Sequence, residues 1–149
     1  MLEIYVVDQV WQLALVYEVR KETFVVGQGI PIELEFDEKT GKTYQYVLLA
    51  EKGNGIGTAR INTTHSDFAK IERVAIVPKF QFQGYGRKLI EAVEEVIRTQ
   101  GYEKIVITSQ VQARGFYERL GYQVNESIKL ESSIPTIYTE KNLKKIGAH

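Results

Sequence analysis

Three segments of the first half of the chain have the residue pattern of strands. Hydrophobic and polar positions alternate from Leu2 to Val7, and two strand-like segments, Tyr44 to Ala50 and Ile56 to Asn62, lie on either side of a glycine-bearing turn. Alternation of this kind is typical of strands that bury one face. The first half of the chain therefore predicts a strand followed by an antiparallel hairpin.

A helical spacing of apolar residues appears between the first strand and the hairpin. Asp8 can cap a helix whose apolar side chains, from Val10 to Tyr17, recur three and four residues apart. Glycine and proline at 27–31 interrupt the chain after it, and 37–42 is a polar turn. The region predicts one amphipathic helix and then a loop.

The second half of the chain alternates predicted strands and helices. A strand at Ile71 to Val77 precedes an amphipathic helix at about Gly84 to Gln100, and the apolar run Lys104 to Thr108 indicates a strand buried on both faces. A short helix and two strands are predicted after it, near Val111–Leu120, Tyr122–Leu130 and Thr136–Leu143. The sequence therefore predicts an α/β (α+β) fold, a β–α–β–α core around a mixed sheet, in a single domain over 1–149.

Composition and charge exclude several classes of protein. The 149 residues include 19 basic and 19 acidic side chains, so nothing predicts general attraction to nucleic acid or membranes. The absence of cysteine removes disulfides, thiolate metal ligands and a cysteine nucleophile, and two histidines argue against a histidine metal cluster. The N-terminus resembles no secretory signal, and no stretch is long enough to span a bilayer. We therefore expect a cytoplasmic protein without a metal site.

The loop before the second long helix combines the features of an anion-binding site. A strand that stops at Pro78 is followed by Gly84-x-Gly86-Arg87-Lys88, where the helix begins. The first N–H groups of a helix lack intrahelical partners, and the helix dipole adds positive charge there. Arg87 and Lys88 occupy a first turn that favours acids, and a bound anion would remove this conflict. The spacing fits neither the P-loop nor the dinucleotide fingerprint.

Four motifs together resemble the GNAT superfamily of N-acetyltransferases. The segment from Gln81 to Gly86 resembles its acetyl-CoA motif, and Phe116 to Tyr122 resembles the Phe-Tyr-x-x-Leu-Gly-Phe motif that follows the fifth strand. Tyr17 to Gln28 and Ser133 to Ile137 resemble two motifs of the ElaA-like branch. The resemblance covers nearly the whole chain.

The resemblance implies a fold and a cosubstrate. The fold is a mixed sheet of about six to seven strands, splayed between the fourth and fifth and flanked by about four helices. The cosubstrate is acetyl-CoA, whose pantetheine and pyrophosphate the family holds with backbone groups and one residue after the fifth strand. In this chain the corresponding residues are Val74, Ala75, Ile76, Phe82, Gln83, Gly84, Tyr85, Gly86, Arg87 and Gln110.

Acyl transfer to an amine requires a neutral amine, a stabilised oxyanion and a proton for the leaving thiolate. The resemblance implies that Tyr117 lies beside the sulfur, where it would be the proton donor, and the backbone N–H of Ile76 is the candidate for the oxyanion. Glu72 shares a face with Val74 and Ile76 by strand alternation and is the candidate base. Without cysteine, direct attack in a ternary complex is expected.

Departures from the family leave the acceptor unidentified beyond a primary amine of a small molecule or peptide. Gln81 stands where the family often has Arg, Gly27 where Glu is common, and Thr136 where ElaA-like proteins carry His. Arg20 and Phe24 are candidates for lining the acceptor site, and the alternative is helix packing and a surface charge.

Two other functions stay open at this point. The same fold could hold acetyl-CoA as a non-catalytic sensor or docking module, or it could use a longer acyl-CoA. The hydroxyl of Tyr117 favours an enzyme, because a pure binder needs no proton donor at the thiol. The resemblance also leaves a homodimer open, since family members are often dimers.

Overall fold

Seven strands and four α-helices follow one another within residues 1–143, the part of the chain that the computed structural model describes. Their bounds are β1 Glu3–Val6, α1 Val10–Arg20, α2 Ile32–Glu35, β2 Gln45–Glu51, β3 Asn54–Asn62, β4 Ala69–Ile76, α3 Tyr85–Thr99, β5 Lys104–Gln110, α4 Arg114–Arg119, β6 Gln123–Val124 and β7 Thr136–Asn142. A π-helical segment, Lys21–Val26, continues α1, and 3-10 turns occupy Pro78–Phe80 and Val111–Ala113.

The strands are hydrogen-bonded in the order β1-β2-β3-β4-β5-β7-β6. β1, β2 and β3 form the predicted antiparallel meander, whereas β4 and β5 are parallel. The predicted mixed sheet is therefore confirmed. Its parallel pairing joins Ala69–Ile71 to Ile105–Ile107 and ends there, although both strands continue. A short pairing of this kind is what the predicted splay requires.

The chain divides into two compact units. The first unit comprises residues 1–61 and 73–93, and the second comprises 62–72 together with the described residues from 94 onward. In the first unit α1 packs against β2, where Val16, Tyr46, Leu48 and Ala50 form a buried cluster. The cap of α1 differs from the prediction: Gln9 precedes the helix, and the Gln12 Oε1 accepts from the N–H groups of Asp8 and Gln9.

The second unit contains β5, β7 and β6, with β7 lying between the other two. Ile105, Val106 and Ile107 are buried, as the apolar run predicted. The strand expected at Tyr122–Leu130 is much shorter, because Asn125 Oδ1 accepts from both the N–H and the hydroxyl of Ser127. This local turn ends β6 at Val124.

Candidate active site

The N-terminus of α3 in the first unit presents the predicted anion-binding groups. The Lys88 N–H donates to the Gly84 carbonyl at 3.4 Å, so the intrahelical bonds begin there. The N–H groups of Tyr85, Gly86 and Arg87 precede that bond and have no acceptor inside the helix. Because α3 runs for 15 residues, its dipole adds positive charge at this end.

The loop before α3 adopts unusual backbone angles that turn it toward the helix. Phe82 and Gly84 have φ values of 64° and 87°. A Cβ at Gly84 would meet no atom within 4 Å, so the space beside the backbone is open. Phe82 holds this conformation without the freedom of glycine, and its side chain is fully exposed.

Side-chain hydrogen bonds hold the loop in place. The Gln81 Nε2 donates to the Ile76 carbonyl at 2.9 Å, and the Gln83 Nε2 donates to the Lys79 carbonyl at 3.1 Å. The ring of Phe80 meets that of Tyr85 edge-on, with centroids 5.9 Å apart. Gln81 thus lacks the positive charge of the Arg that the family often has here, but its hydrogen bond attaches the loop to the end of β4.

The end of β4 directs the backbone of Ile76 away from β3. The Val77 N–H donates to the Ile56 carbonyl of β3 at 2.9 Å. Because successive residues of a strand point their backbone groups to opposite edges, the N–H and carbonyl of Ile76 face the other edge. The Ile76 carbonyl accordingly accepts from Gln81 and from the Thr23 hydroxyl, the latter at 3.4 Å. Thr23 lies in the π-helical segment, and no sequence pattern indicated it.

A glycine on β3 lets the end of β4 approach closely. An added Cβ at Gly57 would stand 2.5 Å from Ile76 Cδ1 and 3.0 Å from the Ala75 carbonyl oxygen. The isoleucine side chain can rotate away, but the carbonyl is fixed in the strand. Gly57 is therefore a second residue of this site that sequence reasoning missed.

We expect Gly57→Ala to destabilise the protein by about 1–3 kcal/mol, the usual cost of overpacking a fixed backbone. Thermal unfolding measures the change. Gly115→Ala is the matched control, because its Cβ would approach only the end of the Arg119 side chain, at 3.3 Å. Equal melting temperatures for the two variants would contradict the close approach at Gly57.

Glu72 lies on β4 just before a break in the extended backbone. Arg73 has a φ of 53°, so regular alternation does not run from Glu72 to Val74 and Ile76, and that part of the argument for a shared face is lost. The Glu72 side chain is 20% exposed, and its Oε2 lies 3.9 Å from Lys70 Nζ. The role of Glu72 as base stays a prediction.

Arg20 lies in a buried ion network and is not a surface charge. Its guanidinium is fully buried and donates to Glu35 Oε2 at 2.8 Å and to the carboxylate of Glu38. Nearby, Arg60 donates twice to Asp37. Burial alone would raise the pKa of Asp37, but the arginine lowers it to about 2. These acids come from α2 and the predicted polar turn. The network occupies the groups of Arg20 that an acceptor would need.

Phe24, the other candidate for the acceptor site, packs against the end of β4. It is partly buried and packs against Val19, Ala75 and Val77. This position agrees with the packing alternative, and it places an aromatic ring against the strand that carries Ile76.

Tyr117 lies in α4 in the second unit and is buried. Its ring contacts those of Phe116 and Tyr122, with centroid distances of 5.0 and 5.8 Å. Burial raises the pKa of the Tyr117 phenol above its ordinary value of 10. The phenol stays protonated at neutral pH, as an ordinary tyrosine does, and the raised pKa makes it a weaker acid. Tyr122 is core as predicted, whereas Phe116 is only half-buried.

Gln110 ends β5, where it pairs with Thr136 of β7. Its Oε1 accepts from the Gln112 amide. The hydroxyl of the preceding residue, Ser109, is buried without a hydrogen-bond partner among the described residues. Gln110 is half-buried, and its contact with pantetheine stays a prediction.

Residues 1–143 contain no group of three or more histidine, cysteine, aspartate or glutamate side chains that could hold a metal ion. No helix in this range has both the length and the apolar content needed to cross a bilayer.

Comparison with known proteins identifies the family. A model of the acetyltransferase (GNAT) domain matches residues 16–143. A Bacillus subtilis (strain 168) protein named as an acetyltransferase is 33% identical over 127 residues, covering 84% of this chain and 86% of that protein. A crystal structure described as an N-acetyltransferase from Lactobacillus plantarum has a TM-score of 0.88 and 27% identity, covering 96% of this chain and 99% of that chain. Escherichia coli ElaA shares the fold, with a TM-score of 0.79 and 21% identity over 95% of this chain and 99% of its own. The chain therefore belongs to the GNAT family of acetyltransferases and is an N-acetyltransferase.

Proposed function

We propose that this enzyme transfers the acetyl group of acetyl-CoA to a primary amine of a small molecule or peptide, within a ternary complex and as one GNAT domain. The observation that carries the proposal is the N-terminus of α3, where three backbone N–H groups follow an open, left-handed Gly84. A pyrophosphate fits such a cradle because it is anionic and needs donors close to the backbone. The cosubstrate supplies an acetyl group activated as a thioester.

In this proposal the backbone from Phe82 to Arg87 holds the pyrophosphate, and the backbone of Val74, Ala75 and Ile76 holds the pantetheine. The N–H of Ile76 donates to the acetyl oxygen as negative charge develops, which its direction away from β3 supports. Gln110 contacts the pantetheine, as the family resemblance implies.

The proton transfers are assigned to two side chains. Tyr117 donates a proton to the departing thiolate, and its place in the family motif supports this role. Glu72 removes the proton from the attacking amine, directly or through water. A homodimer and a cytoplasmic location stay predictions.

Free thiol released from acetyl-CoA distinguishes turnover from the sensor alternative. Because the chain has no cysteine, a thiol-reactive dye reports only the coenzyme. A panel of polyamines, aminoglycosides, amino acids and peptides with a free N-terminus should contain an acceptor that accelerates release. Binding of acetyl-CoA without release for any acceptor class would favour the sensor.

We expect coenzyme A and acetyl-CoA to raise the melting temperature, whereas ATP, which lacks the pantetheine, should raise it less. At a ligand concentration of about 100 times Kd, linkage adds about 2.7 kcal/mol of stability. For a domain of this size the shift is several degrees. An equal shift with ATP would contradict the assignment of the pantetheine.

Gly86→Val is the matching variant, since a branched side chain in the first turn of α3 would occupy the approach of the pyrophosphate. We expect it to remain folded and to lose the shift with acetyl-CoA. An undiminished shift in melting temperature with acetyl-CoA would contradict the assignment of the α3 N-terminus to the binding site.

A further inference from the structure

A charged cluster supports the turn that ends α4 in the second unit. We propose that Lys141 is a positioning residue for Tyr117 and that it acts through Glu94 and Tyr122. The inference rests on the proton-donor role proposed for Tyr117. The cluster joins three elements: Glu94 comes from α3, Tyr122 follows α4, and Lys141 comes from β7.

All donors of the Lys141 ammonium are engaged. Its Nζ lies 3.0 and 3.2 Å from the two carboxylate oxygens of Glu94 and 2.7 Å from the Leu120 carbonyl. The Tyr122 hydroxyl donates to the same carboxylate at 2.7 Å. Glu94 and Tyr122 are 7% and 2% exposed, so the carboxylate and the phenol are shielded from water, whereas the Lys141 side chain is 25% exposed.

The residues that this cluster holds are bonded to Tyr117. The N–H groups of Leu120 and Tyr122 both donate to the Tyr117 carbonyl at 3.0 Å. The Tyr122 ring stands edge-on to the Tyr117 ring at 5.8 Å. Lys141 therefore fixes the two residues that set the backbone and the ring position of Tyr117.

The turn also passes close to the lysine stem. Gly121 has a φ of 95°, and a Cβ there would stand 3.3 Å from Lys141 Cε. The Lys141–Glu94 pair is partly buried, so desolvation offsets part of its attraction, but its hydrogen bonds do restrict geometry. Orientation of the donor at the thiol is a geometric requirement of the proposed reaction.

Lys141→Met keeps an unbranched stem and removes every donor of the ammonium. We expect kcat to fall about tenfold, since a small misplacement of a proton donor has effects of this order or larger. The KM for acetyl-CoA should change by less than about twofold, because the variant leaves the α3 N-terminus intact. Lys141→Arg, which keeps the charge and several donors, should recover most of the lost kcat.

The deciding experiment is a double-mutant cycle with Tyr117→Phe. If Lys141 acts through the Tyr117 hydroxyl, Lys141→Met should not lower kcat further in the Tyr117→Phe background. Independent, multiplicative losses would overturn the inference and leave the role of Tyr117 intact. An unchanged kcat in Tyr117→Phe alone would overturn the role of Tyr117 and this inference with it.

Lys104→Met is the matched control, because Lys104 pairs with Glu140 at 2.7 Å in a more exposed ion pair of β5 and β7. Its kcat should stay at the parental value. If Lys141→Met does not fold, Tyr122→Phe takes its place in the cycle. It keeps the ring beside Tyr117 and removes only the bond to Glu94, so a loss of kcat without coupling to Tyr117→Phe would equally overturn the inference.

Discussion

Glu72→Gln should lower kcat by about 10² to 10⁴-fold, the range typical of a lost general base. The amide keeps the size of the side chain but cannot accept the proton of the attacking amine. The loss should be greatest below the pKa of the amine, where most acceptor molecules are protonated. Steady-state kinetics from pH 6 to 9, with an acceptor identified by thiol release, measure the effect.

The affinity for acetyl-CoA should be nearly unchanged in this variant, because the candidate pyrophosphate site lies at the α3 N-terminus. Glu95→Gln, an exposed acid of α3 that pairs with Arg98, is the control and should have parental kinetics. A change below about threefold in Glu72→Gln across this pH range would leave Glu72 as a partly solvated strand residue.

Tyr117→Phe should lower kcat by roughly 10- to 10³-fold while the melting temperature stays close to that of the parent. The substitution keeps the ring between Phe116 and Tyr122 and removes only the hydroxyl. The departing thiolate must then take its proton from water. Comparison of kcat, the KM for acetyl-CoA and the thermal unfolding curve separates this loss from misfolding.

The pH profile gives a second test of Tyr117. Burial raises the pKa of its phenol above 10, and an acid catalyst is lost only as the pH rises through its pKa. The parental rate should therefore show no loss from this group up to pH 10, and the fall that deprotonation of the phenol causes should come only at higher pH and be absent from Tyr117→Phe. Tyr102→Phe, whose hydroxyl contacts the Thr63 carbonyl at 3.5 Å, is the control. Parental turnover by Tyr117→Phe would leave Tyr117 as a packing residue.

Local sequence patterns were sufficient for most of the elements around the site. The hydrophobic spacing of β2, β3, β4 and α3 depends on residues close in sequence, and each of these elements lies where the spacing predicted it. The glycine-bearing loop and the basic first turn also predicted an anion-binding site at the start of α3, and that site stays a prediction. In contrast, Asp8 was a wrong choice of cap, because the competing Gln12 side chain bonds the same region of backbone.

Contacts between residues far apart in sequence decided the rest. Arg20 pairs with Glu38, Gly57 meets Ala75, and Lys141 pairs with Glu94, so no short motif could reveal them. The position of β7 between β5 and β6 likewise depends on which strands pair, and the residue pattern within each strand does not reveal it.

The sequence by itself determined the elements, the family and the chemistry of the candidate groups, because these depend on residue type and near-neighbour spacing. Only the tertiary structure decided which charges are buried together, where β4 leaves regular geometry at Arg73, and what supports Tyr117, because each depends on packing between separate segments.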